Sequence, residues 1–219
     1  MMSKVKDIDF VLNEIKDGSV LMIGGFLGAG TPHKIVDKLV ERNVKDLTII
    51  ANDTSFVDYG IGKLIANKQV KRVIASHIGT NKETGNQMNT GFIEVELVPQ
   101  GTLAERIRAK GAGLGAIVTP TGIGTIVEEN KQKLTIDGKE YLVEEAIGAD
   151  YALIFGSIVD KSGNIFYAKS TKNFNPLMAT AANKVIVEAK KIVEVGELDP
   201  DVVMTSGIFV DSIVGGSNG

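Results

Sequence analysis

DGSVLMIGGFLGAGTP, residues 17–32, reads as a buried strand, a glycine loop and the opening of a helix. The apolar run Val20–Ile23 leads into Gly24-Gly25-Phe26-Leu27-Gly28-Ala29-Gly30, and Thr31-Pro32 then starts an amphipathic segment. In that segment Ile35, Val36, Leu39 and Val40 form one stripe, while Lys34, Asp37, Lys38 and Glu41 face water. Pro32 suits a first helical turn, where its missing N–H is no loss. Glycine tolerates positive φ and has no side chain, so the N–H groups of such a loop can approach a ligand closely. The helix N-terminus behind it carries partial positive charge and unpaired donors. An anionic or carbonyl-bearing ligand is therefore expected, against the plainer reading of a tight strand-to-helix turn that binds nothing. The loop is not either of the two commonest nucleotide motifs. Gly25 and Gly30 have Walker A spacing, but Thr31-Pro32 stand where Lys-Ser/Thr is required. Gly28-Ala29-Gly30 begins like a dinucleotide fingerprint, but His33 stands at the third glycine position.

Outward from this stretch, helical and extended patterns alternate. Helices are expected at 8–15, 32–42, 63–67, 102–110 and 176–182, and strands at 20–24, 47–51, 70–76, 94–98, 116–118 and 184–188. The 116–118 strand reads as buried, and 94–98 as half-exposed. In the 102–110 helix Leu103 and Ile107 face inward, and Glu105, Arg106 and Arg108 outward. Segments 134–136 and 141–143 form a hairpin around Asp137-Gly138. Segments 151–159 and 164–167 read as a second antiparallel pair. No repeat, linker or low-complexity tract is visible. The pattern predicts an α/β fold: an open, mainly parallel sheet flanked by helices, with added antiparallel hairpins, in a single domain over 1–219.

Composition narrows the function. The chain has 219 residues, 43% hydrophobic and 23% charged, with a net charge of −3 and interspersed signs. That bounds one sizeable core, with no nucleic-acid footprint and no polybasic membrane patch. There is no cysteine, which removes disulfides, thiolate nucleophiles and Cys-ligated metals, and fits a cytoplasmic location. Two histidines, His33 and His77, are too few for a convincing zinc site, so no metal is expected. His77 reads as a packed histidine. Lys4, Lys6, Asp7 and Asp9 precede any apolar run, unlike a signal peptide. The uncharged stretches 18–33 and 111–127 are shorter than the ~20 residues a spanning helix needs.

Five ordered blocks carry a resemblance: GGFLGAGTP (24–32), NDTS (52–55), PQGTLAERIRAKGAGLGA (99–116), TPTGIGT (119–125) and KNFNP (172–176). Together the chain resembles the α subunit of the family I 3-oxoacid CoA-transferases, of the butyrate/acetate–acetoacetate type, from Asp17 to about Ser206. The resemblance implies ping-pong transfer of CoA between a short acyl-CoA and a free carboxylate, with a CoA thioester as substrate and no bound cofactor. It implies a separate β subunit in a heterodimer or α2β2 heterotetramer, which carries the nucleophilic glutamate in a Ser-Glu-Asn-Gly-like context. This chain has no such segment; Glu83, Glu94, Glu96 and Glu105 read as solvated or ion-paired.

For this chain the resemblance implies Gln100 as a neutral oxyanion donor, Asn52 as a substrate-positioning group, and Gly24, Gly25, Phe26, Leu27, Gly28, Ala29 and Gly30 as contacts to CoA or acyl substrate. Arg106 and Arg108 could meet CoA phosphates, although a solvated helix face is the simpler reading. Where the family has glycine two residues after Tyr167, this chain has Lys169; if that position needs positive φ, the loop must differ. Two rivals stand beside this reading. One is an NAD-dependent Rossmann oxidoreductase using Gly28 and Gly30 on pyrophosphate and Asp53 on ribose. The other is a non-enzymatic acyl-CoA or sugar-phosphate sensor. The apolar run Gly207 to Val214 is expected at an interface or in an ordered strand, and its removal is expected to weaken assembly more than folding.

Overall fold

In the computed structural model, which describes residues 3–217, the central strands of the main sheet run largely apolar because both of its faces are covered there. Strands β1 (Val20–Ile23), β2 (Leu47–Asp53), β3 (Val70–His77) and β4 (Glu94–Leu97) form one half of it. The other half is β8 (Ala149–Asp160), β10 (Ala182–Val193) and β11 (Ser212–Ser217). The order is β11-β10-β8-β1-β2-β3-β4, every neighbouring pair parallel. Alternation along each strand sorts side chains between two cores. Leu21, Ile23, Ile49 and Ala51 face helices α1 (Ile8–Leu12), α2 (His33–Arg42) and α3 (Gly62–Ala66). Met22 and Ile50 face α5 (Gln100–Gly111) and α6 (Asn175–Met178). Such double burial is what parallel sheets require.

Four expectations need correction. The antiparallel pairing expected between 151–159 and 164–167 forms, β8 meeting the short β9 (Ile165–Phe166), but the expectation is incomplete: β8 also lies inside the parallel sheet, between β10 and β1. Its apolar run is equally compatible with either partner. Residues 116–118 do not form a buried strand. β5 (Ala116–Thr119) is exposed or half-exposed and belongs to a separate antiparallel sheet, β5-β7-β6, with β6 (Lys133–Ile136) and β7 (Lys139–Glu145). The β6–β7 hairpin turns on Asp137 and Gly138, at φ 50° and 75°, the hand that a two-residue hairpin turn demands.

The third correction concerns Arg106, which does not face water. It is wedged between Glu96 (2.9 Å) and the buried Glu144 (3.8 Å), and its Nε donates to the Glu145 carbonyl at 2.8 Å. It pins the small sheet to β4 and α5. Burial works to raise the Glu96 pKa, but Arg106 and Arg72 override it and hold that carboxyl below its ordinary value. The fourth is α4 (Lys82–Asn89), which no apolar stripe announced: it buries Thr84 and Gln87 and is capped by Asn81, which accepts from Glu83 and Thr84 N–H.

The run Gly207 to Val214 is ordered. Val210, Ile213 and Val214 are buried and β11 extends the main sheet, while Ile208 and Phe209 stay exposed. Deleting 207–219 would strip an edge strand and part of the core, so the truncation should weaken folding itself, which bears against the expectation that it weakens assembly more than folding. Among the described residues no helix is long and apolar enough to cross a membrane.

Candidate active site

Because the sheet is parallel, the carboxyl ends of its strands share one edge, where open α/β sheets hold ligands. The loop after β1, the end of β2, the end of β3 and the start of α5 all meet there. They are joined by a chain of hydrogen bonds. Gln100 Nε2 donates to Asn52 Oδ1 at 2.7 Å, and Asn52 Nδ2 donates to Asp53 Oδ2 at 2.7 Å. Asp53 also accepts from Leu27 N–H (2.9 Å) and Ser55 N–H (2.7 Å), and Ser76 Oγ donates to the Asn52 carbonyl (2.7 Å).

Exposure divides the labour. Gln100 is exposed, whereas Asn52 and Asp53 are 2% and 3% exposed. An amide nitrogen has two hydrogens; Asn52 takes one and so orients the other outward. Asn52 is thus placed to aim Gln100, and its own amide is engaged. Asp53 emerges as the hub. The sequence offered it only as a ribose ligand in the dinucleotide rival, but its carboxylate is buried and both of its oxygens already accept hydrogen bonds from this chain.

The glycine loop differs from expectation in how it works. Gly24 N–H donates to Leu153 O, Gly25 N–H to Asn173 Oδ1, Leu27 N–H to Asp53, and Phe26 and Ala29 to each other's carbonyls. These five donors are engaged within the chain and so are not free for an anion. Nor is the start of α2 open to an anion: Glu188, from β10, accepts from Ile35 N–H at 3.0 Å and occupies that place. Burial raises the Glu188 pKa, offset only in part by these backbone donors. The glycines answer instead to crowding. A Cβ on Gly24 would strike the Asn175 side chain, one on Gly25 Thr31, one on Gly28 the Tyr59 ring, and one on Gly30 the Thr171 carbonyl. What the loop shows to solvent is Phe26 and Ala29.

Asn173 and Asn175 are the residues that motif reading left without a role. Asn173 Nδ2 donates to the Ala29 carbonyl (2.9 Å) and Asn175 Nδ2 to the Gly30 carbonyl (3.0 Å), while Asn175 Oδ1 accepts from Phe155 N–H. They staple the glycine loop to β8. Two amides spaced i, i+2 were the available signal. His33 packs against Tyr59 with ring centroids 4.6 Å apart and planes tilted by 41°, and its Nε2 meets the Gly28 carbonyl at 3.0 Å. His77 is exposed at the end of β3, not packed as expected. Arg108 lies on the outer face of α5, paired with Glu105. Lys169 itself adopts φ 54°, so the lysine takes the left-handed conformation rather than forcing it away.

The family model for coenzyme A transferase matches residues 5–216. The chain belongs to the coenzyme A transferase family. It is 53% identical over 214 residues to the acetate CoA-transferase subunit alpha of Escherichia coli K12, covering 98% of this chain and 97% of that one. It is also 53% identical over 214 residues to the acetoacetyl-CoA:acetate/butyrate CoA transferase alpha subunit of Clostridium acetobutylicum, covering 98% of each. Among solved structures, the acyl-CoA transferase YdiF of E. coli O157:H7, as a thioester complex with CoA, superposes with a TM-score of 0.85 at 24% identity. That likeness concerns the fold. It covers 97% of this transferase chain but 47% of the YdiF chain, so this chain spans about half the length of that protein.

Proposed function

We propose that this chain is the α subunit of a two-chain CoA-transferase that exchanges CoA between a short-chain acyl-CoA and a carboxylate such as acetate, butyrate or acetoacetate. The observation that carries the reading is near-full-length identity to two α subunits of such enzymes. The site supports it: an exposed amide is held by a buried network, and no glutamate of this chain takes part in that network. In this reading the nucleophilic glutamate comes from a β subunit, in a heterodimer or α2β2 heterotetramer. The enzyme works in the cytoplasm with no bound cofactor, the CoA thioester being its substrate.

In this reading the partner's glutamate attacks the thioester carbonyl, and the oxygen takes up negative charge. The free N–H of Gln100 donates to that oxyanion; a neutral amide stabilises it without transferring a proton. Collapse expels CoA thiolate and leaves an acyl-glutamyl anhydride. The thiolate then attacks the glutamyl carbonyl, releasing the first acid and forming a glutamyl-CoA thioester, and the second acid reverses the sequence. The Gly24–Gly30 loop borders the substrate through Phe26 and Ala29, which suits an apolar acyl or pantetheine arm better than a phosphate. Asn52 acts by holding Gln100.

The test is transfer of CoA from acetoacetyl-CoA to acetate or butyrate. The chain alone is expected to be inactive and the complex with its partner active. In that complex Gln100→Ala lowers kcat by ~10²-fold or more, with KM changed less and the melting temperature unmoved. Turnover by the isolated chain at ordinary enzyme rates, or an unchanged kcat, would refute the assignment.

A further inference from the structure

The small sheet β5-β7-β6 turns its apolar side outward. An antiparallel sheet with one face in water ordinarily does the reverse, apolar residues in and polar ones out. Directly opposed residues share a face, so the register sorts these three strands. Leu142 stands opposite Lys133 and Thr119, and Glu144 opposite Ile117. Leu142 and Glu144 are buried, which makes this the inner face. It is anchored there, because Glu144 meets Lys131 at 2.6 Å and Arg106 at 3.8 Å. On the outer face Tyr141 stands opposite Leu134, Val143 opposite Val118, Lys139 opposite Ile136 and Glu145 opposite Ala116.

β6 carries the inversion most plainly. Lys133 and Thr135 share the inner face, and Leu134 and Ile136, 40% and 43% exposed, the outer one. Val118 is 40% exposed, and none of Ala116, Tyr141 and Val143 is buried. Apolar and aromatic residues of three paired strands therefore form one patch that the rest of the chain leaves open. A contiguous patch of this kind marks a contact surface, as singly scattered apolar residues do not.

The charges on this face select the occupant. Lys139 and Glu145 are both exposed, at opposite ends of β7, with Tyr141 and Val143 between them. At ~3.4 Å per residue they stand about 20 Å apart. A second copy, turned about a two-fold axis that lies between the two sheets, runs its β7 antiparallel to the first. That arrangement sets Lys139 of each copy over Glu145 of the other, and Tyr141 over Val143. Self-complementarity of one patch is what a two-fold contact requires. Sheets stacked face to face lie ~10 Å apart, a gap that side chains from both faces fill. We propose that this chain self-associates through the outer face of β5-β7-β6, as a two-fold antiparallel stack of two copies. In the transferase reading this contact joins two αβ units into α2β2; the self-association itself does not rest on that reading.

Sedimentation equilibrium of the full chain alone tests the proposal. The wild type should show a monomer–dimer equilibrium with Kd on the order of 10 µM, as suits a contact at the small end of the size range. Leu134→Lys buries an unpaired charge in the contact and should raise Kd about 100-fold, with the melting temperature unmoved. Lys139→Glu sets like charges against each other at both ends and should raise Kd roughly tenfold; adding Glu145→Lys restores the complementarity and the wild-type Kd. None of these measurements reads CoA transfer, so failure here leaves the transferase reading standing, and the reverse. A chain that stays monomeric to about 1 mM, a dimer indifferent to Leu134→Lys, or a double variant no tighter than Lys139→Glu alone would overturn the proposal. A monomeric chain whose capture by the β subunit is lost on Leu134→Lys would overturn it too, and give the face to that partner.

Discussion

The loops after β1 and β2 close with the same bridge and opposite turn hands. Phe26 pairs with Ala29, and Phe56 with Tyr59, each bridge opening three residues after its strand ends. Each displays its phenylalanine, 45% and 43% exposed, and each ends on a glycine of positive φ, Gly30 or Gly60. In the first loop both central residues are left-handed, Leu27 at φ 47° and Gly28 at φ 87°; in the second neither Val57 nor Asp58 is. The second turn therefore accepts ordinary side chains. The first must be glycine-rich, because it carries a left-handed turn while pressed between Tyr59, Thr31 and the 171–175 segment. The difference teaches that the glycine signature encodes a conformation and a close fit, while Phe26 and Ala29 are what the loop exposes. Asp53 joins the two loops by accepting from Leu27 and Ser55.

Exchanging equivalent residues breaks the comparison most sharply. Gly28→Asp adds a Cβ against the Tyr59 ring at a left-handed position and should cost about 4 kcal/mol in a denaturant melt. The reciprocal Asp58→Gly, in an exposed turn, should cost less than about 1 kcal/mol. Equal losses would mean that the two turns are not opposed as described.

Asp53→Ala removes the shared acceptor. Two backbone donors and the Asn52 amide lose their partner, and stability should fall by about 3 kcal/mol in the same melt. Transfer activity of the folded complex should fall as well, because Asn52 no longer fixes Gln100. A variant with wild-type stability would show that the loops hold without this link.

The smallest effect has the opposite sign. Ser55 matches Gly25 in the offset, sits at φ 55°, and buries a hydroxyl without a partner. Ser55→Gly relieves the left-handed strain and should stabilise the fold by up to about 1 kcal/mol, part of the gain being lost to the more flexible unfolded chain. A loss on that substitution would place an unseen partner on the Ser55 hydroxyl.

The layered α/β architecture was legible because doubly covered strands give continuous apolar runs, and α2 because its stripe repeats at helical spacing. The place of β8 was not legible: 151–159 is apolar enough for either a parallel or an antiparallel partner, and only the crossover through α6 to β10 decides. α4 was hidden because the residues it buries, Thr84 and Gln87, are polar. The two-loop correspondence was invisible as a repeat, since bridge geometry is shared while FLGAG and FVDYG share little else. At the site, the motif blocks led to Gln100 and Asn52. The hub role of Asp53 and the stapling by Asn173 and Asn175 depend on contacts between segments far apart in the chain, which spacing cannot carry.

The central claim is that this chain supplies the oxyanion donor and its partner supplies the nucleophile. Intact-mass analysis of both subunits, after brief exposure of the assembled enzyme to acetoacetyl-CoA, tests it most directly. The account predicts a covalent CoA adduct on the partner chain and none on this one, the yield falling when Gln100 is alanine. An adduct on this chain would contradict it.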